Sequence, residues 1–253
     1  MTHALSREQL SDYDRNGILF PITVLSRDEV DLFRRELQAV ADNCGQSQRR
    51  LDGLHLSFDW AYRLVSHTAV LDAVEDLLGD DILVDGSLVF YKPAHDSSYV
   101  SWHQDSVYSD WHQTPSTSAW IALTPSHRAN GCMRVIPGSH KTGPIEHVMV
   151  RDGLNLLFRG EQVSTVDESK ALDVELLPGE MSFHDSNLVH GSSANTSDQP
   201  RIGFIVRFVT NRVAHRDRPL LRVRGSGDCS HLLLANPPAA KEAGAMGFYA
   251  NNQ

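Results

Sequence analysis

The chain has 253 residues, 41% of them apolar, enough for one large domain or two small ones around a sizeable core. A formal net charge of −9 argues against a nucleic-acid groove or an anionic membrane surface as partner. Cys44, Cys132 and Cys229 are far apart with no CxxC pair, which excludes a disulfide framework and a zinc knuckle and fits reduced thiols in a cytoplasmic protein.

In chain order, the opening "MTHALSREQL" lacks a basic-then-apolar leader pattern, and no apolar run reaches the length of a membrane span, so no membrane partner is expected. The first eighty or so residues read as helical. Ser6 with Gln9, and Ser26 with Glu29, have the spacing of a capping box, in which side chain and backbone satisfy each other's donors. After the second box, Val30, Phe33, Leu37 and Val40 share one helical face, and Gly45 is a stop signal. A third helix is predicted over Val70 to Leu78, ending at Gly79. Strand signals then take over: 82–91, 117–124, 132–140, 171–180, 181–186 and 201–209 are rich in β-branched and aromatic residues and separated by Pro, Gly, Asn and Ser. Helices first and strands afterwards predict an α+β fold, with helices buttressing an antiparallel barrel or sandwich. Residues 144–170 lack clean periodicity; they are either a long insert over the barrel mouth or a partly helical surface excursion. The tail from Arg212 is basic and then small and polar, without a predicted element.

The stretch "SWHQDSVYSDW" at 101–111 carries the first chemistry. If it is extended, His103 and Asp105 point the same way and Gln104 is turned aside. A third ligand must come from elsewhere, and His190 in "FHDSNLVHGSS" is the best donor. Two imidazoles and a carboxylate on one face leave positions open for co-substrate and O2, the arrangement of a non-haem Fe(II) oxygenase. A turn-rich segment leads from His190 to Arg201, so two antiparallel strands joined by it would bring Arg201 behind the metal. A guanidinium there grips the remote end of a dicarboxylate, and Ser192 adds a hydroxyl; 2-oxoglutarate, a 2-oxo acid with a far carboxylate, meets both needs. His184 competes with His190 for the third position but reads better as a core or supporting histidine, and His95 and His140 read as loop residues. A bare HxD is a weak signal; the downstream His and Arg in strand context give it weight.

Taken together, "YKPAH", "WHQDSVY", "AWIALT", "NGCMRVIPGSHK" and "FHDSNLVHGSSANTSDQPR" resemble the phytanoyl-CoA dioxygenase family of Fe(II)- and 2-oxoglutarate-dependent oxygenases, in that family's order, from about Tyr91 to Phe208. The resemblance implies a double-stranded β-helix (jelly-roll, cupin-like) core with flanking N-terminal helices. One domain then covers 1–253, with a helical part to about 80, a β-helix core over about 81–210 and a tail over 211–253. It matches His103, Asp105 and His190 to the iron ligands and Arg201 and Ser192 to the distal carboxylate of 2-oxoglutarate. It places Lys92 and Trp120 where the family often has further co-substrate contacts. Gln104 matches the middle of an HQD triplet and is not expected to be a ligand.

The implied reaction consumes 2-oxoglutarate and O2 and hydroxylates an aliphatic C–H of a small metabolite, or of an acyl or aminoacyl group tethered to a carrier, within secondary metabolism. A halogenase of the same superfamily is disfavoured, because such enzymes carry a small residue where Asp105 stands. A cupin-like metal-binding protein without turnover has no need of Arg201 and Ser192. Around the site, Trp102, Tyr108 and Trp111 are either pocket wall or packing, with His112 and Gln113 as weaker candidates. Alternation from Arg201 turns Gly203, Ile205 and Arg207 inward and Ile202, Phe204, Val206 and Phe208 towards helices. An inward Arg207 needs an anionic partner: a substrate carboxylate or phosphate, or an internal Asp or Glu. Oligomeric state has no signature in the sequence.

Overall fold

The structure, a computed structural model, describes residues 3–44, 49–108, 114–214 and 218–239. It has three layers: helices, a large sheet and a small sheet. The large sheet runs β1 (Ile18–Thr23), β10 (Glu180–Asp185), β5 (Ser116–Ala122), β12 (Arg201–Thr210), β3 (Ile82–Lys92), β13 (Leu220–Arg224) and β14 (Leu234–Ala235), with β2 (Arg50–Asp52) also on β3. The small sheet runs β4 (Val100–His103), β11 (His190–Ser192), β6 (Met133–Val135) and β9 (Leu172–Val174). A two-stranded ribbon, β7 (His147–Met149) with β8 (Glu161–Val163), lies beside them. Two facing, mostly antiparallel sheets buttressed by helices are the expected α+β jelly roll.

The helical layer follows from the caps. Ser6 and Gln9 complete their capping box at α1 (Arg7–Asn16). The Ser26 amide and hydroxyl both reach Glu29 at 2.7 Å at the start of α2 (Arg27–Cys44), and Gly45 lies outside the described residues. Val30, Phe33, Leu37 and Val40 are all buried, as their spacing predicts. A short helix missed by the sequence reading, α3 (Asp59–Val65), places Trp60 with its ring centroid 6.0 Å from that of Phe204. The third predicted helix is α4 (Thr68–Leu78), and it stops at Gly79.

β12 organises the rest. Phe204, Val206 and Phe208 point into the helix-side core with Trp60, Leu64 and Val74. Ile205 points the other way, into the core between the sheets with Leu88, Trp120 and Met133. The alternation read from the sequence therefore holds along this strand.

Other expectations are corrected. β1 and β2 sit within the stretch read as helical; β1 is an edge strand on β10, where a Pro such as Pro21 is tolerated. The stretches 132–140 and 171–180 contribute only three-residue strands. β11 and β12 are not a hairpin: the segment between them crosses from the small sheet to the large one. Residues 144–170 contain the β7–β8 ribbon and end in one 3-10 turn, Glu168–Lys170. The tail adds β13 and β14 to the sheet, β13 pairing with β3. No helix among the described residues is long and apolar enough to cross a membrane.

Candidate active site

A cavity of about 610 Å³, counted to its open mouth, lies between the two sheets. On the small sheet, β4 and β11 pair with His103 directly opposite His190, which sets their ring centroids 4.1 Å apart. Asp105 comes in from the side. The strand ends at His103, and Asp105 opens a short 3-10 helix, so its direction does not follow from strand alternation as expected. Gln104 is turned aside but buried: its amide nitrogen donates to Gly143 and Asn187 carbonyls, and its oxygen accepts from the Ile145 N–H. It ties the triplet to the segment leading into the ribbon.

One ligand-type atom from each of His103, Asp105 and His190 lies within 4.8 Å of the others, and all three residues are buried. His103 Nδ1 lies 2.9 Å from the Ser101 carbonyl oxygen and His190 Nδ1 lies 2.9 Å from that of Leu188. A carbonyl accepts only, so Nδ1 carries a proton in both rings and Nε2 is the nitrogen turned towards the site, the arrangement a metal needs. Burial, then the neighbouring His103 and His184, hold His190 well below the usual imidazole range and so deprotonated. Burial alone would raise Asp105, but Arg207 in particular, with His103 and His184, holds it well below the usual carboxylate range. Two imidazoles and a carboxylate therefore face one point, a donor set suited to a divalent transition metal.

The opposite end of the cavity is cationic. Arg201 is 1% exposed, and neither its Nε nor its Nη2 has a hydrogen-bond partner. A buried charge in that state costs several kcal/mol, so the site calls for an anion. Gly203 makes this end possible: a Cβ there would lie 2.0 Å from the Trp120 ring, which therefore rests on bare backbone and carries Arg201 at 5.3 Å from its centroid. Lys92, opposite Arg201 in the β3–β12 ladder, donates to Ser192 Oγ at 2.8 Å and to the Ser193 carbonyl. Burial, then Arg201, depress the Lys92 amine to about 6, and burial lowers Arg201 to about 10.

The remaining expected residues fall as follows. Arg207 meets an internal acid, its Nη2 donating to Asp105 Oδ1 at 3.0 Å. Trp102 lies on the other face of β4 from His103, under the Arg134 guanidinium at 5.4 Å and away from the cavity wall. The side chain of Tyr108, and Trp111, His112 and Gln113 altogether, lie outside the described residues. His184 lines the cavity, its ring centroid 4.5 Å from that of His190 and its Nε2 3.4 Å from Asp105 Oδ2. His140 binds the Asp14 carbonyl and His95 meets Asp198, both away from the site. Sequence reasoning missed Ser118, which donates to Asp105 Oδ2 at 2.7 Å, and Arg50, Phe90 and Leu157 in the wall. A serine mid-strand or a three-residue strand carries no local signal of such a role.

The family model for phytanoyl-CoA dioxygenase (PhyH) matches residues 13–203. The chain belongs to the PhyH family. Among solved structures, this PhyH-family chain is similar to the non-heme monooxygenase ThoJ, at 32% identity and a TM-score of 0.78, over 92% of this chain and 89% of that one. Among curated proteins it is 26% identical to an ectoine dioxygenase of Halomonas elongata, over 84% of this chain and 71% of the relative. It is 29% identical to a probable alpha-ketoglutarate-dependent hypophosphite dioxygenase of Stutzerimonas stutzeri, over 74% of this chain and 64% of that protein. As a PhyH-family enzyme it is an Fe(II)- and 2-oxoglutarate-dependent dioxygenase.

Proposed function

We propose that His103, Asp105 and His190 bind Fe(II), that Arg201 with Ser192 takes the distal carboxylate of 2-oxoglutarate, and that the enzyme hydroxylates an aliphatic C–H of a small free metabolite. The observation that carries this is the facing of two ends of one cavity: three buried ligand-type atoms within 4.8 Å, and a buried guanidinium with unsatisfied donors. Iron with 2-oxoglutarate supplies the oxidation of an unactivated C–H by O2, with succinate and CO2 as by-products. The chain's own residues orient and exclude. Arg201 offers a planar fork matched to a carboxylate, and Trp120 fixes that fork from below. Lys92 and Ser192 complete the polar end, while Leu88, Val100 and Ile205 keep water from the reacting carbon.

A small free substrate is favoured over a carrier-tethered one. Two of the curated relatives are named for ectoine and hypophosphite, both small, while another is named for phytanoyl-CoA, and the cavity between the sheets must also hold 2-oxoglutarate. Asp105 supports oxygenation over halogenation, since its carboxylate fills the position a halide needs. Cys132 and Cys229 are buried and free, in keeping with the reducing cytoplasm.

The test is succinate release from 2-oxoglutarate under air after anaerobic Fe(II) loading, with small zwitterions and oxyanions offered in turn. Substrate-stimulated succinate and a product heavier by one oxygen, unchanged by added chloride, are expected. His103→Ala and His190→Ala are expected to abolish one-to-one Fe(II) binding. No succinate with any substrate, together with retained iron in both variants, overturns the reading. Stimulation only by carrier-bound substrates overturns the choice of a free metabolite.

A further inference from the structure

The carboxylate of Asp105 has an aiming problem. Its residue lies beyond the end of β4, so no strand direction points it, and a bare aspartate rotates freely about its terminal torsion. Two side chains of the opposite sheet hydrogen-bond it and a third lies beside it. Arg207 Nη2 donates to Oδ1 at 3.0 Å, Ser118 Oγ donates to Oδ2 at 2.7 Å, and His184 Nε2 lies 3.4 Å from Oδ2. These three are not scattered. His184 on β10 pairs with Ser118 on β5, and Ser118 pairs with Arg207 on β12, so they form one cross-strand row on the inner face of the large sheet.

We propose that the row His184, Ser118 and Arg207 is a positioning device for Asp105, fixing both carboxylate oxygens so that the group faces His103 and His190 in one orientation. The inference rests on reading those three residues as the metal ligands. Contacts to both oxygens define the plane of the carboxylate, which a single contact cannot do. The row spans three adjacent strands whose spacing is set by the backbone ladder, so its two donors, Ser118 and Arg207, and the neighbouring His184 ring are held rigidly relative to one another. Ser118 is fully buried and His184 is 2% exposed, so neither is a solvent-facing group that happens to reach inward.

The alternative role for Arg207 is to neutralise a buried acid, and the two roles predict opposite signs. A guanidinium next to a metal site repels a dication, so a merely neutralising Arg207 opposes metal binding and its removal tightens it. A positioning Arg207 aims the ligand, and its removal loosens binding. Loss of a group that orients a metal ligand typically costs about 10- to 100-fold in metal affinity.

The experiment is an anaerobic titration of the full chain with Co(II) alone, followed by its visible absorption. Ser118→Ala and His184→Gln are each expected to weaken Co(II) binding about 10-fold, and Arg207→Gln about 10- to 100-fold, with a shifted band in each bound form. Circular dichroism of the metal-free variants checks folding. Should Arg207→Gln fail to fold, Ser118→Ala and His184→Gln decide alone. Unchanged or tighter Co(II) affinity with an unshifted band in the folded variants overturns the positioning role. His103→Ala separates the two readings: if it binds Co(II) as well as the parent chain, the ligand assignment fails, whatever the row does.

Discussion

Lys92 is a residue whose chemistry would change if a dicarboxylate bound beside Arg201. It is fully buried against Ser192 with an amine depressed to about 6 by burial and then by Arg201, so most of it is neutral at pH 7.5. An anion placed beside Arg201 favours the protonated amine. Binding of 2-oxoglutarate is therefore expected to take up a proton, up to about one per site between roughly pH 7 and 8. Calorimetry in buffers of different ionisation enthalpy measures it; a heat independent of buffer, or the same uptake in Lys92→Met, refutes it. The sign for stability follows as well. A folded amine near 6 releases its proton where the unfolded lysine keeps one, so stability of the metal-free protein rises with pH from about 6 towards the ordinary lysine range, by this group's share. Residue by residue, the site was legible where chemistry is written in a side chain and its near neighbours: His103, His190 and Arg201 stand out by type and spacing. Ser118 was not, because its meaning comes from Asp105, 13 residues away, and from Arg207, which reaches the same carboxylate across 102.

Among the elements, β12 shows how little side chain some functions need. Gly203 sits between Arg201 and Ile205 on the inner face, and the Trp120 ring occupies the space a Cβ would fill, at 2.0 Å. Gly203→Ala is expected to push the indole off the backbone, destabilise the protein by about 1–3 kcal/mol as overpacking does, and weaken 2-oxoglutarate binding by disturbing the support of Arg201. Denaturant unfolding and co-substrate titration measure the two effects; full affinity with unchanged stability contradicts the packing account. Element prediction succeeded where a pattern is long or capped: α1 and α2 start at their expected capping boxes, and α4, β3 and β12 appear near their expected limits. It missed β2 and α3 and drew β6 and β9 too long; all four are three to seven residues long. Such short pieces owe their form to the sheet or core they dock on rather than to local preference. Asp105 was assigned the right neighbours for a wrong reason: alternation pointed it inward, whereas the strand stops at His103.

At the scale of the molecule, the site is shared between sheets. His103 and His190 belong to the small sheet, and Arg201 belongs to the large one. A metal and a dicarboxylate bound at the proposed positions would therefore bridge the two layers of the sandwich, and would do so only in the folded state. At a hundredfold excess over the dissociation constant such a ligand adds about 2.7 kcal/mol. Mn(II) with 2-oxoglutarate is expected to raise the melting temperature by more than either alone, and Arg201→Ala is expected to lose the part due to 2-oxoglutarate. An equal shift in that variant contradicts the shared site.

The inner row of the large sheet has one more effect, on folding fidelity. A slip of β5 by one residue against its neighbours replaces Ser118 in the row by Thr117 or Ala119 and turns Trp120 away from Arg201. The same error that buries the wrong face thus also strips the carboxylate of its guides. Mispaired molecules would bind cobalt more weakly, so the colour of a cobalt-loaded preparation doubles as an assay of correct strand register.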